Sequence, residues 1–145
     1  MNQPNPSIAA VLTEGLANKR VLVVDDDEFV CELVAKVLTR YLGMEVYKAN
    51  DGSEAIAAAL TGRYDCALID LVLPKTSGHK AIRTIKTMQP NLPIIAMTGQ
   101  SMEETVHSMR RLGVTRVLQK PFKLMTLIEE VANILSGGKT LPAEK

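Results

Sequence analysis

The sequence predicts an α/β protein built around a single parallel sheet. Short apolar runs alternate five times with longer segments of helical periodicity between residues 20 and 135. Several of the runs are apolar throughout, as is typical of strands covered by helices on both faces. The connections between segments are short, so each helix is expected to cross over right-handed and pack against the sheet.

Five segments are predicted as strands. The first, residues 21–24, and the third, residues 66–69, are apolar throughout and lead directly into acidic residues. The other three are predicted over residues 45–49, 93–97 and 114–118. Each is short enough for a strand and too short for a buried helix.

The segments between the strands are predicted as helices because apolar residues recur at helical spacing. In the first, residues 28–41, Val30 and Val34 belong to the apolar face, and Gly43 supplies a stop signal. Gly113 does the same after the fourth helix. The remaining helices are predicted over residues 53–60, 77–88, 102–112 and 122–135. Five such βα units favour a flavodoxin-like doubly wound sheet with strand order 2-1-3-4-5 and five helices, rather than an eight-unit barrel.

The composition indicates one globular domain with an aliphatic core. The 145 residues are 46% apolar and 23% charged, and 17 basic residues nearly balance 16 acidic ones. The net charge gives no overall field to attract nucleic acid or an anionic membrane. No apolar run is long enough for a membrane helix, and no secretion signal is recognisable. Cys31 and Cys66 lie in apolar surroundings and are predicted to be buried free thiols, which suits a cytoplasmic location.

The sequence divides into three regions. Residues 1–18 are expected to form an N-terminal extension, either flexible or a short helix, with Ile8, Val11 and Leu16 at helical spacing. Residues 19–136 form the predicted domain. Residues 137–145 follow a glycine pair and are expected to be a disordered tail.

Acidic residues follow two strands that are neighbours in the predicted order. Asp25 and Asp26 come after the first strand, and Asp70 comes after the third. Ligands of open α/β sheets bind beyond the carboxyl ends of the strands, where the strand order reverses. Three carboxylates this close repel one another unless some are protonated or a cation is present. Mg²⁺ is a cation that prefers such oxygen ligands together with phosphate.

Two further side chains are predicted at the same edge of the sheet. Thr98 ends the fourth strand with a hydroxyl that can donate to a phosphate oxygen, and Lys120 follows the fifth with a mobile positive charge. Aspartate can accept a phosphoryl group covalently, with the cation and the lysine neutralising the transferred charge. Each residue alone is unspecific, but their common edge predicts a phosphoryl-transfer site.

Four motifs make the pattern specific. Residues 21–28 read Val-Leu-Val-Val-Asp-Asp-Asp-Glu and resemble the opening of bacterial response-regulator receiver domains. Residues 70–78 read Asp-Leu-Val-Leu-Pro-Lys-Thr-Ser-Gly and are similar to the acceptor loop of that family, Asp-x-x-[Met/Leu]-Pro-x-x-x-Gly. Residues 94–99 and 120–122 resemble the two remaining signatures. The resemblance extends from about residue 19 to residue 135.

The resemblance implies a role for each residue of the acidic group. Asp70 would be the phosphoacceptor. Asp25 and Asp26 would serve Mg²⁺, Asp26 more directly, and the backbone carbonyl of Val72 would complete the protein ligands of the metal.

The resemblance also assigns the residues around the phosphoryl group. Thr98 and Lys120 would contact it, and the bond between Lys120 and Pro121 is expected in cis. Many receivers carry an aromatic residue three positions before this lysine, and here that position is Val117. The signal is therefore expected to leave the site through a smaller, more local change.

The implied function is a signalling switch rather than an enzyme, with Mg²⁺-dependent self-phosphorylation and slow self-dephosphorylation only. Phosphate would come from a histidine kinase or a histidine phosphotransfer protein. The signal would pass to a downstream protein through the face formed by the fourth helix, the fifth strand and the fifth helix. The domain is expected to be a monomer or a weak homodimer, without direct DNA binding, since few residues remain after Leu135, and without a membrane association.

Three other functions fit the sequence less well. A pseudo-receiver would keep the fold without phosphorylation, but the acids, Thr98 and Lys120 are all present. A flavodoxin-like cofactor binder would need a glycine-rich phosphate loop or aromatic residues around a flavin. The sequence has no such loop after the first strand and no aromatic residues placed to enclose a flavin. A phosphatase with an aspartate nucleophile would usually have a second aspartate where Val72 stands.

Several residues are not assigned to the site. His79 and His107 are predicted on helix surfaces, and Met102, Val106 and Met109 in packing positions. A set of arginines near the fifth strand is interpreted either as a solvated face or as a docking surface for an acidic partner. These arginines are Arg110, Arg111 and Arg116.

Overall fold

The structure is a computed structural model that describes residues 16–136. Five parallel strands form one sheet in the order β2-β1-β3-β4-β5, which confirms the predicted fold. The strands are β1 Arg20–Val24, β2 Glu45–Ala49, β3 Cys66–Asp70, β4 Ile94–Thr98 and β5 Arg116–Gln119. The helices are α1 Glu28–Leu42, α2 Gly52–Thr61, α3 Gly78–Met88, α4 Met102–Arg111 and α5 Leu124–Leu135.

The helices form one layer on each face of the sheet. Successive residues of a strand point to opposite faces, so Val21 and Val23 of β1 pack under α1 and α5, while Leu22 and Val24 pack under α2, α3 and α4. All four of these side chains are fully buried. Burial of this kind contributes about 1.5–3 kcal/mol for each aliphatic side chain. The central strands are therefore held rigidly, and their ends form a fixed platform for the site.

The ends of the helices follow local capping rules. Asp27 accepts hydrogen bonds from the backbone N–H groups of Phe29 and Val30 at the start of α1, and Gly43 ends this helix in the left-handed conformation. At the C-terminus of α4, the Val114 N–H donates to the carbonyl of Met109. Because the Val114 N–H bonds to the end of α4 and not to a neighbouring strand, β5 begins at Arg116, two residues later than predicted.

The packed part of the chain begins before the predicted domain. Leu16 is 5% exposed and belongs to the core beneath α1 and α5, and the Asn18 N–H donates to the Gly43 carbonyl over 2.8 Å. The predicted extension over residues 1–15 and the predicted tail over residues 137–145 lie outside the described residues. Cys31 and Cys66 are buried free thiols, as predicted. Among the described residues, no helix is long and apolar enough to cross a membrane.

Candidate phosphoryl-transfer site

Three carboxylates meet at the carboxyl edge of the sheet. Asp25 follows β1 directly and Asp70 is the last residue of β3, and these two strands are hydrogen-bonded neighbours. One carboxylate oxygen from each of Asp25, Asp26 and Asp70 lies within 4.8 Å of the others. The structure thus brings together the three acids that the sequence predicted to converge.

The three acids differ in burial. Asp25 is fully buried and Asp70 is 5% exposed, whereas Asp26 is exposed to solvent. One oxygen of Asp25, Oδ1, accepts the Asp27 N–H over 2.9 Å, which fixes the orientation of its carboxylate. The exposed Asp26 is the acid with the most freedom to coordinate a hydrated ion that enters from solvent.

Lys120 bridges the two buried acids. Its Nζ lies 2.6 Å from Asp25 Oδ2 and 2.8 Å from Asp70 Oδ2. Burial raises the pKa of the Asp25 carboxyl, and the hydrogen bond from Lys120 and the charge interaction with it oppose that rise. Burial by itself lowers the pKa of Lys120, but the hydrogen bonds to Asp25 and Asp70 outweigh burial and leave the pKa raised. Lys120 is therefore a cation in contact with the predicted acceptor.

The negative charge at the site exceeds the positive charge, which favours binding of a divalent cation. Three carboxylates face the single ammonium group of Lys120, so two negative charges remain without a partner in this cluster. A hard divalent cation with oxygen ligands would balance them. The residues present therefore fit Mg²⁺, with Asp25, Asp26 and Asp70 as the side chains that would hold it.

The backbone of the acceptor loop, residues 70–78, contacts the Asp70 carboxylate. The Val72 N–H donates to Asp70 Oδ1 over 3.0 Å, so each oxygen of this carboxylate already has one donor. Val72 is 60% exposed and lies two residues along the chain from Asp70, the predicted acceptor. Below the loop, the Gly78 N–H donates to the carbonyl of Leu71.

Thr98 is the last residue of β4, the strand next to β3, and lies at the same carboxyl edge of the sheet. It is 1% exposed, and its Oγ1 accepts the Gln100 N–H over 2.9 Å, which leaves the hydroxyl proton free for another acceptor. The Lys120 N–H donates to the Thr98 carbonyl over 2.7 Å, so the threonine and the lysine are joined through the backbone. The bond between Lys120 and Pro121 is cis, as predicted.

The residues that were not assigned to the site lie on helix surfaces or in packing positions. His79 on α3 and His107 on α4 are exposed, and Met109 is fully buried in the core under α4. Met102 and Val106 are half-buried. These positions agree with the predicted surface and packing roles.

One contact near the site was not predicted from the sequence. The start of α2 touches the acceptor loop: Lys75 Nζ lies 3.4 Å from Asp51 Oδ2, and Ser53 Oγ lies 3.4 Å from Thr76 Oγ1. A Cβ atom on Gly52 would overlap the carbonyl oxygen of Thr76. The sequence feature that could have indicated this contact is Gly52, a poor helix former at the first position of a helix.

The fold and the site together agree with the comparison to known families. Residues 21–132 match the model of the response regulator receiver domain. The chain belongs to this family. Receiver domains are the phosphoacceptor domains of two-component signalling and are signalling modules rather than enzymes in the ordinary sense. The match covers the strands, the acids, Thr98 and Lys120, so the resemblance recognised in the sequence is confirmed.

Curated relatives include fungal and bacterial regulators. The chain is 33% identical over 124 residues to the transcription factor SKN7 of Candida albicans, an alignment that covers 83% of this chain and 22% of the relative. It is 33% identical over 115 residues to the probable transcriptional regulatory protein TcrX of Mycobacterium tuberculosis, covering 79% of this chain and 49% of the relative. The chain therefore spans at most about half the length of these relatives.

Solved receiver domains share the fold. A receiver domain protein from Methanospirillum hungatei superposes with a TM-score of 0.78 at 25% identity, covering 84% of this chain and 97% of that one. The chemotaxis protein CheY4 of Vibrio cholerae gives a TM-score of 0.77 at 30% identity, covering 82% of this chain and all of that one (100%). In contrast to the longer curated relatives, these two solved chains are covered almost end to end.

Proposed function

We propose that Asp70 is the residue that accepts the phosphoryl group, in a transfer assisted by Mg²⁺, Thr98 and Lys120. The observation that carries the proposal is the convergence of three carboxylates within 4.8 Å, with Lys120 Nζ 2.8 Å from the Asp70 carboxylate. Asp70 ends a central strand and is 5% exposed, whereas Asp25, the other acid in contact with the Lys120 ammonium group, is fully buried.

The transfer is an in-line displacement at phosphorus. A carboxylate oxygen of Asp70 forms the new bond to phosphorus, while the bond from phosphorus to the donor nitrogen or oxygen breaks and the leaving group keeps the electron pair. Lys120 and the Val72 N–H hold the carboxylate in place before the attack. The hydroxyl of Thr98 can then donate its proton to an oxygen of the transferred group.

The metal proposal rests on the acidic cluster. Asp25, Asp26 and Asp70 would hold Mg²⁺, Asp26 most directly, with the backbone carbonyl of Val72 as a further ligand. When bound, Mg²⁺ supplies positive charge that offsets the charge of the acceptor and the phosphoryl oxygens. The fixed Asp25 carboxylate, held by the Asp27 N–H, would keep one ligand oriented toward the ion.

The partners follow from the family and from the surface. The phosphoryl donor would be a histidine kinase or a histidine phosphotransfer protein, and one curated relative is itself a sensor kinase/phosphatase, CqsS of Vibrio cholerae. The signal would leave through the face of α4, β5 and α5 toward a downstream protein, with the domain acting as a monomer or a weak homodimer and without contacting DNA or a membrane. Two buried free thiols support a cytoplasmic location.

Labelling with a small phosphodonor tests the acceptor. With Mg²⁺ and acetyl phosphate, intact mass spectrometry should detect the addition of one phosphoryl group. Asp70→Asn should abolish the addition, because a carboxamide is a poor nucleophile, and chelation of the metal should nearly abolish it. Asp27→Asn is the matched control, since asparagine also caps a helix and Asp27 is exposed.

Two results would contradict the proposal. Unchanged labelling of the Asp70→Asn protein would place the acceptor elsewhere. A wild-type protein that gains no mass under any of these conditions would instead indicate a domain that has kept the fold without phosphorylation.

A further inference from the structure

The charges of the chain are distributed unevenly around the site. Residues 71–102 contain no aspartate or glutamate, but they contain four basic residues. These are Lys75, Lys80, Arg83 and Lys86. Residues 25–28, by contrast, are all acidic. The acidic residues 25–28 follow β1, whereas the acceptor loop and α3 follow β3, so the two neighbouring strands end in segments of opposite charge.

Two of these basic side chains have no acidic partner among residues 16–136. Lys80 and Arg83 are exposed and form no ion pair there, whereas Lys75 pairs with Asp51. Lys86 is also engaged, because its Nζ donates to backbone carbonyls that follow α3. Three residues apart on one helix, Lys80 and Arg83 lie side by side and repel each other.

The start of α3 is electrostatically unfavourable by itself. The N-terminus of a helix favours negative charge, and α1, α2 and α4 each place an acid in the first turn. In α2 the third residue after the cap is Glu54, which accepts the Asn50 N–H over 2.8 Å. In α3 the corresponding residue is Lys80, after the cap Ser77. An external anion would relieve this arrangement.

We propose that the basic face of α3, defined by His79, Lys80 and Arg83, docks an acidic segment of a partner protein. The face carries cations on an exposed helix, and carboxylate side chains are their complement. It lies beside the acceptor loop, because a Cβ on Gly78 would overlap the carbonyl oxygen of Asp70. A partner bound here is therefore within reach of the phosphorylation site, although docking itself does not require phosphorylation.

The surroundings favour a short acidic peptide segment over nucleic acid. Asp51 and Glu54 begin α2, whose first turn contacts the acceptor loop through Ser53 and Thr76, and the acidic cluster of the site lies across the same loop. A duplex presents a phosphate charge about every 1.7 Å along its axis and would bring many of them against these acids. A peptide with a few carboxylates can contact α3 alone.

Binding of a labelled peptide to the full chain tests the proposal. Fluorescence anisotropy with a fluorescein-labelled oligoglutamate peptide should detect binding that weakens as salt is added. Lys80→Glu/Arg83→Glu should weaken it about tenfold, and Lys80→Gln/Arg83→Gln should weaken it less. Lys36→Glu/Arg40→Glu is the matched control, because it makes the same charge change on exposed positions of α1 and should alter affinity by no more than about twofold.

The variants also provide their own folding control. In Lys80→Glu/Arg83→Glu, the change at position 80 should complete a capping box with Ser77, so the melting temperature should not fall and weaker binding would not reflect unfolding. Equal losses in the α3 and α1 variants, or no binding at low salt, would overturn the proposal. Tighter binding of a short DNA duplex that depends on Lys80 and Arg83 would also overturn it in favour of nucleic acid.

Discussion

At the scale of single residues, position 72, two after the proposed acceptor Asp70, is expected to influence the surroundings of the phosphoryl group. Val72 binds Asp70 through its backbone N–H, while its side chain is 60% exposed and has no hydrogen-bonding atom. Hydrolysis of an acyl phosphate requires water in line with the phosphorus, and a polar side chain nearby can orient that water. The second position that flanks the expected approach of water is Gln100, two residues after Thr98. Gln100 is exposed and polar, so of these two positions only 100 has a side chain that can hydrogen-bond to water.

The first prediction concerns the lifetime of the phosphorylated form. Val72→Asn should shorten it by a few-fold to about tenfold, since one oriented hydrogen bond contributes about 0.5–1.5 kcal/mol. Loss of the phosphorus-31 signal over time measures the lifetime. Val72→Leu, which is also apolar, should leave it unchanged. A lifetime that is the same or longer in Val72→Asn would show that this side chain does not limit hydrolysis.

A second residue-scale prediction concerns the two thiols. Burial raises the pKa of Cys31 to about 11 and that of Cys66 to about 12, so almost no thiolate forms near neutral pH. A thiol reagent such as 5,5′-dithiobis(2-nitrobenzoic acid) should react very slowly with the folded protein. In denaturant, both cysteines should react rapidly. Rapid reaction of either thiol in the folded protein would mean that the core opens readily.

At the scale of elements, the junction of β3 and α3 holds Asp70 in place. Gly78 begins α3 directly beneath Asp70, where a Cβ atom would overlap the Asp70 carbonyl oxygen and lie 2.5 Å from the Leu71 Cα. Both obstacles are backbone atoms, which cannot move aside as a flexible side chain can. The close approach of helix and strand therefore requires glycine.

A substitution at this junction should be costly. Gly78→Ala should lower the free energy of unfolding by about 1–3 kcal/mol, the usual cost of overpacking, and should also slow phosphorylation by displacing Asp70. Urea unfolding measures the first effect. Gly99→Ala is the matched control, because nothing lies within 4 Å of its Cβ position. If both variants were equally stable, the junction would have to be looser than its geometry indicates.

At the scale of the whole molecule, the end of β5 connects the site to the face of α4, β5 and α5. Val117 lies opposite Ala96 in the sheet register and is half-buried against the core under α4. A β-branched valine has few side-chain rotamers and little surface, so its side chain can change the packed volume at this position only slightly. Phosphorylation can shift a population only through interactions that differ between the two states.

We therefore expect a local response to phosphorylation. Beryllofluoride, a phosphoryl mimic, should change the amide signals mainly over residues 98–110, which include Thr98, the loop after it and α4. Nuclear magnetic resonance shifts or amide exchange, with and without the mimic, would measure it. Large changes confined to α1 and α2, with residues 98–110 unaffected, would be incompatible with this route.

Local sequence patterns determined most of the architecture. Apolar runs, helical periodicity and glycine stops predicted every strand and helix in order, because these features depend on neighbouring residues. The acids could be placed as well, since the carboxyl ends of parallel strands always share one edge of the sheet. Asp25, Asp70 and Thr98 each end or directly follow an apolar strand, which is visible without any structure.

Contacts between distant parts of the chain depended on the tertiary structure. Lys120 and Asp25 are separated by 95 positions, and only packing shows that one ammonium group bridges two buried carboxylates. The start of β5 was misplaced because Val114 is apolar like a strand residue, yet its N–H closes the end of α4. The overlap that makes glycine necessary at position 78 likewise depends on how closely a helix approaches a strand. A local pattern records which residues are apolar or acidic, whereas the distances between their atoms are set by how the layers pack.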